Sequence, residues 1–302
     1  MPEKILVKSV LNKTRKRDSW FLDDYTVNPY SGCSFNCLYC YIRGSKYGTH
    51  MEERLRAKDN VADVLHKQLR NRAKRKEYGI IVLSSATDPY LQIEKELGLT
   101  RQILEVILHH RFPVHIITKS ALVTRDFDLL KRIDEHSILP DNLQSVLGHR
   151  AIITFSFSTV VEEIARIFEP GATPPARRLE AVEKTLSAGF LSGISMMPLL
   201  PYITDGSDHL EKMFKTFHEI GAQYVLPASL TLFGSGEHDS KTLMFQAINK
   251  HYPHLEEKYR QLFSLGFQPN WNYRTGLERL TKELGIRYHL RNTLYDSHNA
   301  RH

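Results

Sequence analysis

Residues 28–41 read Asn28-Pro29-Tyr30-Ser31-Gly32-Cys33-Ser34-Phe35-Asn36-Cys37-Leu38-Tyr39-Cys40-Tyr41. This stretch holds all three cysteines of the chain, spaced Cys-x3-Cys-x2-Cys. An odd number of cysteines packed into eight residues excludes a secreted disulfide framework. Thiolates are soft ligands, and three so close on one loop bind a soft metal or an iron–sulfur cluster. Three ligands on a cubane leave one iron open to another molecule. Zinc is the competing reading. A structural zinc takes four protein ligands, and the fourth would be His50 or a more distant histidine at no recognisable spacing. Three inert thiols are the remaining alternative, which their crowding disfavours.

Outward from this loop, short apolar runs alternate with amphipathic stretches. Residues 25–28, 79–84, 114–118, 151–156, 191–197 and 223–228 read as strands, most of them rich in Ile, Val and Phe and buried on both faces as parallel strands are. Helices are expected to begin near Asn60, Thr100, Arg125, Pro175 and Ser207; the fourth shows its period in Leu179, Val182 and Leu186 before the break at Gly189. Six β/α units in succession predict an α/β fold with a parallel sheet curled toward a barrel. Residues 134–148 show no clear period and read as an insertion before the fourth strand. From about Lys241 the pattern is helical, with Leu255, Tyr259, Leu262 and Phe263 on one face. The expected organisation is a basic segment over 1–24, a core over 25–240 and a helical extension over 241–302. Functional groups in such sheets gather at the carboxyl ends of the strands. That rule selects residues 33–41, 84–88, Lys119 and 156–158.

Cys-x3-Cys-x-aromatic-Cys after the first strand of a six-unit β/α chain resembles the signature of radical S-adenosylmethionine enzymes, whose fold is a partial (β/α)6 barrel. The wider context resembles their spore photoproduct lyase-like branch, also described as DNA-repair-photolyase-like. The shared pieces are Cys-x-Tyr-Cys-Tyr ending at Tyr41, Ser84-Ser85-Ala86-Thr87-Asp88, Thr118-Lys119-Ser120, and Phe155-Ser156 followed by Phe168-Glu169-Pro170-Gly171. They span roughly residues 25–200.

The resemblance implies two cofactors, a 4Fe–4S cluster on Cys33, Cys37 and Cys40 and S-adenosylmethionine on its open iron. One-electron reduction would cleave the sulfonium and release a 5′-deoxyadenosyl radical that takes hydrogen from a substrate. Lys119 would pair with the carboxylate of S-adenosylmethionine. Thr87 and Ser156 would hydrogen-bond its polar groups, with Ser158 able to stand in for Ser156 on the same strand face. Tyr41 would line its pocket, and Tyr39 and Tyr41 match a pair implicated in radical relay; Tyr39 also suits packing beneath adenine. A low-potential donor, a flavodoxin or ferredoxin, would supply the electron. One position departs from the pattern. Where the lyase has a cysteine that returns hydrogen to the product radical, this chain has Ser85, whose O–H bond is too strong for that task. The resemblance therefore implies a relative with another substrate or another quenching route.

The 302 residues carry 41 Lys/Arg and 34 Asp/Glu, 41% hydrophobic residues and 25% charged, ordinary for a globular protein. No run approaches 18 apolar residues, so no transmembrane helix is expected, and the start, MPEKILVKSVLNKTRKRD, lacks the apolar region of a secretory signal. A cytoplasmic protein is expected. Residues 1–76 hold 17 Lys/Arg against 8 Asp/Glu. One basic cluster is Lys13, Arg15, Lys16 and Arg17; the other is Lys67, Arg70, Arg72, Lys74, Arg75 and Lys76. Both could follow a phosphate backbone, so nucleic acid is the candidate partner and substrate; the plainer reading is a solvated helix face and a mobile tail. A non-catalytic iron–sulfur redox sensor or nucleic-acid-binding module is the rival function. His109-His110 reads as packing and surface, Glu94 and Glu96 as serving a helix N-terminus, and Gly234-Ser235-Gly236 as a turn. Trp271, Tyr273 and Arg274 read as cover for the open side of the barrel rather than a base-stacking platform.

Overall fold

The computed structural model describes residues 2–45, 48, 55–83 and 85–295. His50 and Ser84, named above as a distant zinc ligand and a strand end, lie outside the described residues. Ten strands are described: β1 (Glu3–Ile5), β2 (Asn12–Lys13), β3 (Tyr25–Val27), β4 (Tyr30–Ser31), β5 (Arg56–Lys58), β6 (Ile81–Leu83), β7 (Val114–Thr118), β8 (Ala151–Ser156), β9 (Leu191–Leu199) and β10 (Val225–Ser229). The helices are α1 (Val61–Lys74), α2 (Glu94–Leu97), α3 (Leu99–His109), α4 (Phe127–His136), α5 (Asp141–Gln144), α6 (Glu162–Phe168), α7 (Pro175–Ser187), α8 (Ser207–Glu219), α9 (Ser240–His251), α10 (Glu256–Leu262) and α11 (Trp271–Arg287).

The main sheet runs β10-β9-β8-β7-β6-β3-β2, and all its pairs are parallel except β2 with β3. Parallel neighbours in chain order mean that every crossover winds the same way, as in a barrel wall. Among the described residues β10 does not pair with β2, so the wall stays open as a partial barrel. A second sheet, β1-β5-β4, flanks the cysteine loop.

Alternation along each strand sorts side chains between two cores. On β7, Val114 and Ile116 face outward; on β8, Ile153 and Phe155 do. The outer layer buries Leu65 and Leu69 of α1, Ile103 and Ile107 of α3, Leu130 of α4, Val182 of α7 and Phe214 of α8. Burying one such side chain contributes about 1.5–3 kcal/mol, so this apolar stripe, more than intrinsic propensity, holds each helix on the sheet.

The inner face carries Val82, Ile117, Ile152 and Leu226. Here residues 134–148 correct the sequence reading. They are a plug rather than a patternless insertion: Leu139, Leu143 and Leu147 recur every four residues around α5 and are buried inside the wall with Leu22. His115 sits beside them. Its Nδ1 lies 2.8 Å from the Phe21 carbonyl and its Nε2 2.6 Å from Thr154 Oγ1, which in turn is 2.6 Å from the Tyr224 hydroxyl. Because a carbonyl only accepts, Nδ1 carries the proton. Burial lowers the His115 pKa to about 4 and keeps the ring neutral.

The basic N-terminal segment is not a mobile tail. It supplies β1 and β2, buries Val10, Leu11 and Leu22, and ties Arg17 to Asp24 through two 2.9 Å hydrogen bonds. At the other end, Leu255, Tyr259, Leu262 and Phe263 do share one buried face, against Tyr39, Phe168 and Leu200. Tyr273 joins that packing, whereas Trp271 stays 69% exposed. Among the described residues no helix is long and apolar enough to cross a membrane.

Candidate active site at the carboxyl ends of the strands

A cavity of about 540 Å³ opens where the parallel strands end, and Cys33, Cys37, Cys40, Thr87, Lys119 and Ser156 all reach its wall, with Tyr39, Tyr41 and Ser85. The rule that functional groups gather at strand ends thus joins segments far apart in sequence.

The cysteine loop is held by backbone. The Thr87 hydroxyl donates to the Gly32 carbonyl at 2.6 Å, Leu38 N–H donates to the Phe168 carbonyl at 2.9 Å, and Gly171 N–H donates to the Phe35 carbonyl at 2.9 Å. A Cβ on Gly171 would lie 2.3 Å from the Ser34 carbonyl oxygen, so no side chain fits where these backbones meet. Phe168-Glu169-Pro170-Gly171 is therefore a brace for the loop. Asn36 turns the chain in the left-handed region (φ 51°), which asparagine tolerates better than most residues.

Burial, then the nearby Asp88 carboxylate, pushes the Cys33 thiol up to about 11. Burial also raises Cys37, against the opposing pull of Lys119. Such thiols stay protonated at neutral pH unless a metal takes the proton's place. The donor set decides between metals. A structural zinc takes four protein ligands, whereas three thiols leave one position of a cluster open.

Asp88 organises the neighbouring strand ends. Its carboxylate accepts from Thr118 Oγ1 (2.7 Å), Lys119 N–H (2.7 Å) and Tyr90 N–H (2.8 Å). Burial raises its pKa, and these donors oppose the rise. The Lys119 ammonium consequently stands 5.7 Å from the Tyr39 ring centroid, on the cavity wall.

Beneath the wall lies a buried ionic network. The Tyr39 hydroxyl and the Ser158 hydroxyl (2.8 Å) donate to Glu169 Oε1, while Arg178 binds the other carboxylate oxygen and reaches the Ser156 carbonyl at 2.6 Å. Both ionic side chains are wholly buried. Burial pushes Glu169 up, but Arg178 and then Lys119 outweigh it and hold the carboxyl below its ordinary range. Burial and Glu169 drive Tyr39 well above the usual phenol value.

These contacts bear on the residues named from the sequence. Ser158 does not replace Ser156 at the cavity, because its hydroxyl is committed to Glu169. Thr87 reaches the cavity wall and donates its hydroxyl proton to the Gly32 carbonyl, which holds the loop. Tyr39 presents its ring to the cavity but sinks its hydroxyl under it, whereas Tyr41 is 51% exposed and donates to the Ser85 carbonyl at 2.6 Å. The Ser85 hydroxyl accepts from Asn28 Nδ2 at 2.8 Å. Ser156 keeps its expected place on the wall. The sequence reading selected Asp88 by the strand-end rule without giving it a role, and gave none to Glu169 or Arg178. Glu169 was visible only as a marker inside a motif, and Arg178 looks like any arginine in an amphipathic helix.

The sequence profile of the radical SAM superfamily matches residues 27–216, spanning all three cysteines and most of the sheet. The chain belongs to the radical SAM superfamily. Its cofactors are accordingly a 4Fe–4S cluster and S-adenosylmethionine, and radical SAM enzymes require an electron donor. An uncharacterized protein of Mycobacterium tuberculosis is 29% identical over 95% of this chain and 80% of its own length. Among solved structures, a cysteine-to-serine mutant of spore photoproduct lyase matches with a TM-score of 0.64 at 17% identity, over 94% of this chain and 79% of that one. Another mutant of that lyase, with bound S-adenosylmethionine and dinucleoside spore photoproduct, matches with a TM-score of 0.60 at 18% identity over the same shares. At these identities the likeness establishes a shared radical SAM fold.

Proposed function

We propose that Cys33, Cys37 and Cys40 hold the 4Fe–4S cluster and that Lys119, Tyr41 and Ser156 line the S-adenosylmethionine site beside it. The observation that carries this reading is the opening of three half-buried thiols, next to the Lys119 side chain, onto one cavity at the strand ends. When bound, the two cofactors supply a 5′-deoxyadenosyl radical able to abstract hydrogen from a substrate. Lys119 pairs with the ligand carboxylate, a charge-assisted contact. Thr87, Gly171 and Asp88 fix the loop and the lysine from behind, so these groups need no rearrangement on binding. Tyr41, at the mouth and hydrogen-bonded to Ser85, is the hydrogen carrier in place of the cysteine this chain lacks. Tyr39 serves as a rigid floor. A flavodoxin or ferredoxin delivers the electron.

For the substrate we take a nucleic acid, on the likeness to a lyase that holds a dinucleoside. The basic clusters do not carry that argument, because they lie at the far end of the sheet: Lys13 pairs with Tyr25 at the start of β3, and Arg72 sits 5.7 Å from the same tyrosine ring. The test is anaerobic release of 5′-deoxyadenosine from S-adenosylmethionine by the reduced, reconstituted enzyme, with and without oligonucleotide. Release stimulated by the oligonucleotide is expected. Release indifferent to it would remove nucleic acid as substrate, and no release from a loaded cluster would favour the non-catalytic iron–sulfur module.

A further inference from the structure

Away from the cavity, α1 and α3 bring three histidines together. His66 projects from the middle of α1, His109 is the last residue of α3, and His110 follows it. Their ring centroids are 4.7 Å (His66–His110), 4.7 Å (His109–His110) and 5.3 Å (His66–His109) apart. One ring nitrogen from each lies within 4.8 Å of the other two. His110 is buried, His66 half-buried and His109 exposed, so the cluster has a floor and an open side.

We infer that His66, His109 and His110 form a binding site for a transition-metal dication of the zinc class, distinct from the cysteine cluster and independent of its function. Imidazole is the protein ligand that suits zinc, copper and nickel alike. The geometry is close to what a metal requires. Two nitrogens on one tetrahedral zinc, each about 2.0–2.1 Å from it, stand about 3.3–3.4 Å apart, and His110 Nε2 lies 3.3 Å from His66 Nδ1. In the metal-free protein that contact is a hydrogen bond between the two rings; a metal takes the place of the shared proton. His109, exposed at the helix end, has the rotamer freedom to close the remaining gap. A water or an anion completes the fourth position, and the neighbouring Arg70, close enough to act on His110, favours an anion there. Metal bound in this way clips α1 to α3, two helices that share one apolar core through Leu65, Leu69, Ile103 and Ile107.

The test uses the cluster-loaded enzyme under anaerobic conditions, so that the thiols are already occupied, dialysed against micromolar zinc chloride and analysed for both metals. One zinc per chain is expected in addition to the cluster iron. His66→Ala and the exposed His109→Gln should each lose the zinc with iron content unchanged. The unfolding midpoint should rise by several degrees with zinc in the parent and in neither variant. No zinc above the dialysis buffer, or equal zinc in parent and variants, would overturn the site and show the rings to be hydrogen-bonded only.

Discussion

At the carboxyl ends of the parallel strands Asp88, Glu169 and Arg178 are buried and partnered, while at the amino ends Lys13, Arg70, Lys74 and Arg75 are exposed. Asp88, Glu169 and Arg178 lie inside the protein, each answered by opposite charge or hydrogen-bond donors. Lys13, Arg70, Lys74 and Arg75 stand in solvent around the first turns of the sheet, where Lys13 and Arg75 both act on Glu77. Burying an ion costs several kcal/mol before any return, so a fold keeps one only where its geometry is exacting. The difference teaches that the conspicuous charge of this chain is not the functional charge. The cysteine loop is supported by a few concealed ions and by backbone, and the exposed basic residues Lys13, Lys74 and Arg75 belong to the opposite end.

The largest effect that would break the comparison is loss of a thiol. Cys40→Ala should abolish the cluster, measured as iron and sulfide per chain after reconstitution, because two thiolates cannot hold a cubane; full retention would remove the loop from the site. Next comes the concealed pair. Arg178→Met leaves Glu169 buried and unpaired, and denaturant unfolding should show a loss of about 3–5 kcal/mol; a loss under about 1 kcal/mol would mean that the pair contributes little.

The plug tests the other end of the wall. His115 has a folded pKa of about 4, below the ordinary 6.5, so its contribution is complete above pH 6.5 and is lost as pH falls toward 4. The shift corresponds to roughly 3 kcal/mol. Stability that stays flat between pH 6.5 and 4.5 would contradict a neutral, buried ring. A smaller effect is expected from Lys119→Ala, about 10- to 100-fold weaker S-adenosylmethionine binding with the cluster intact. Finally, converting Arg70, Lys74 and Arg75 to glutamine should leave 5′-deoxyadenosine release within about twofold of the parent. A tenfold loss would make the basic end part of the functional surface and collapse the contrast.

Much of this was legible in the sequence because parallel strands buried on both faces are continuous apolar runs. Residues 114–118 and 151–156 are strands over those very spans, and helices begin at Pro175 and Ser207 as expected. The cysteine spacing, a local feature, marked the loop at once. What escaped was short or non-local. Strands β1, β2, β4 and β5 are two or three residues long and carry no period. The plug leucines are interrupted by polar residues and by Pro140. Glu94 was assigned to a helix N-terminus, and it does accept from Thr100 N–H, but its ion pair with Arg125 and its hydrogen bond from Tyr30 come from segments that only the fold brings near. His66 lies far along the chain from His109-His110, so nothing local announced their meeting.

The central claim is that the three thiols hold a cluster whose open iron faces the S-adenosylmethionine site. Electron paramagnetic resonance of the reduced, reconstituted protein, recorded with and without S-adenosylmethionine, tests it most directly. The account predicts a 4Fe–4S signal that shifts when S-adenosylmethionine is added. A cluster signal unchanged by S-adenosylmethionine would contradict it.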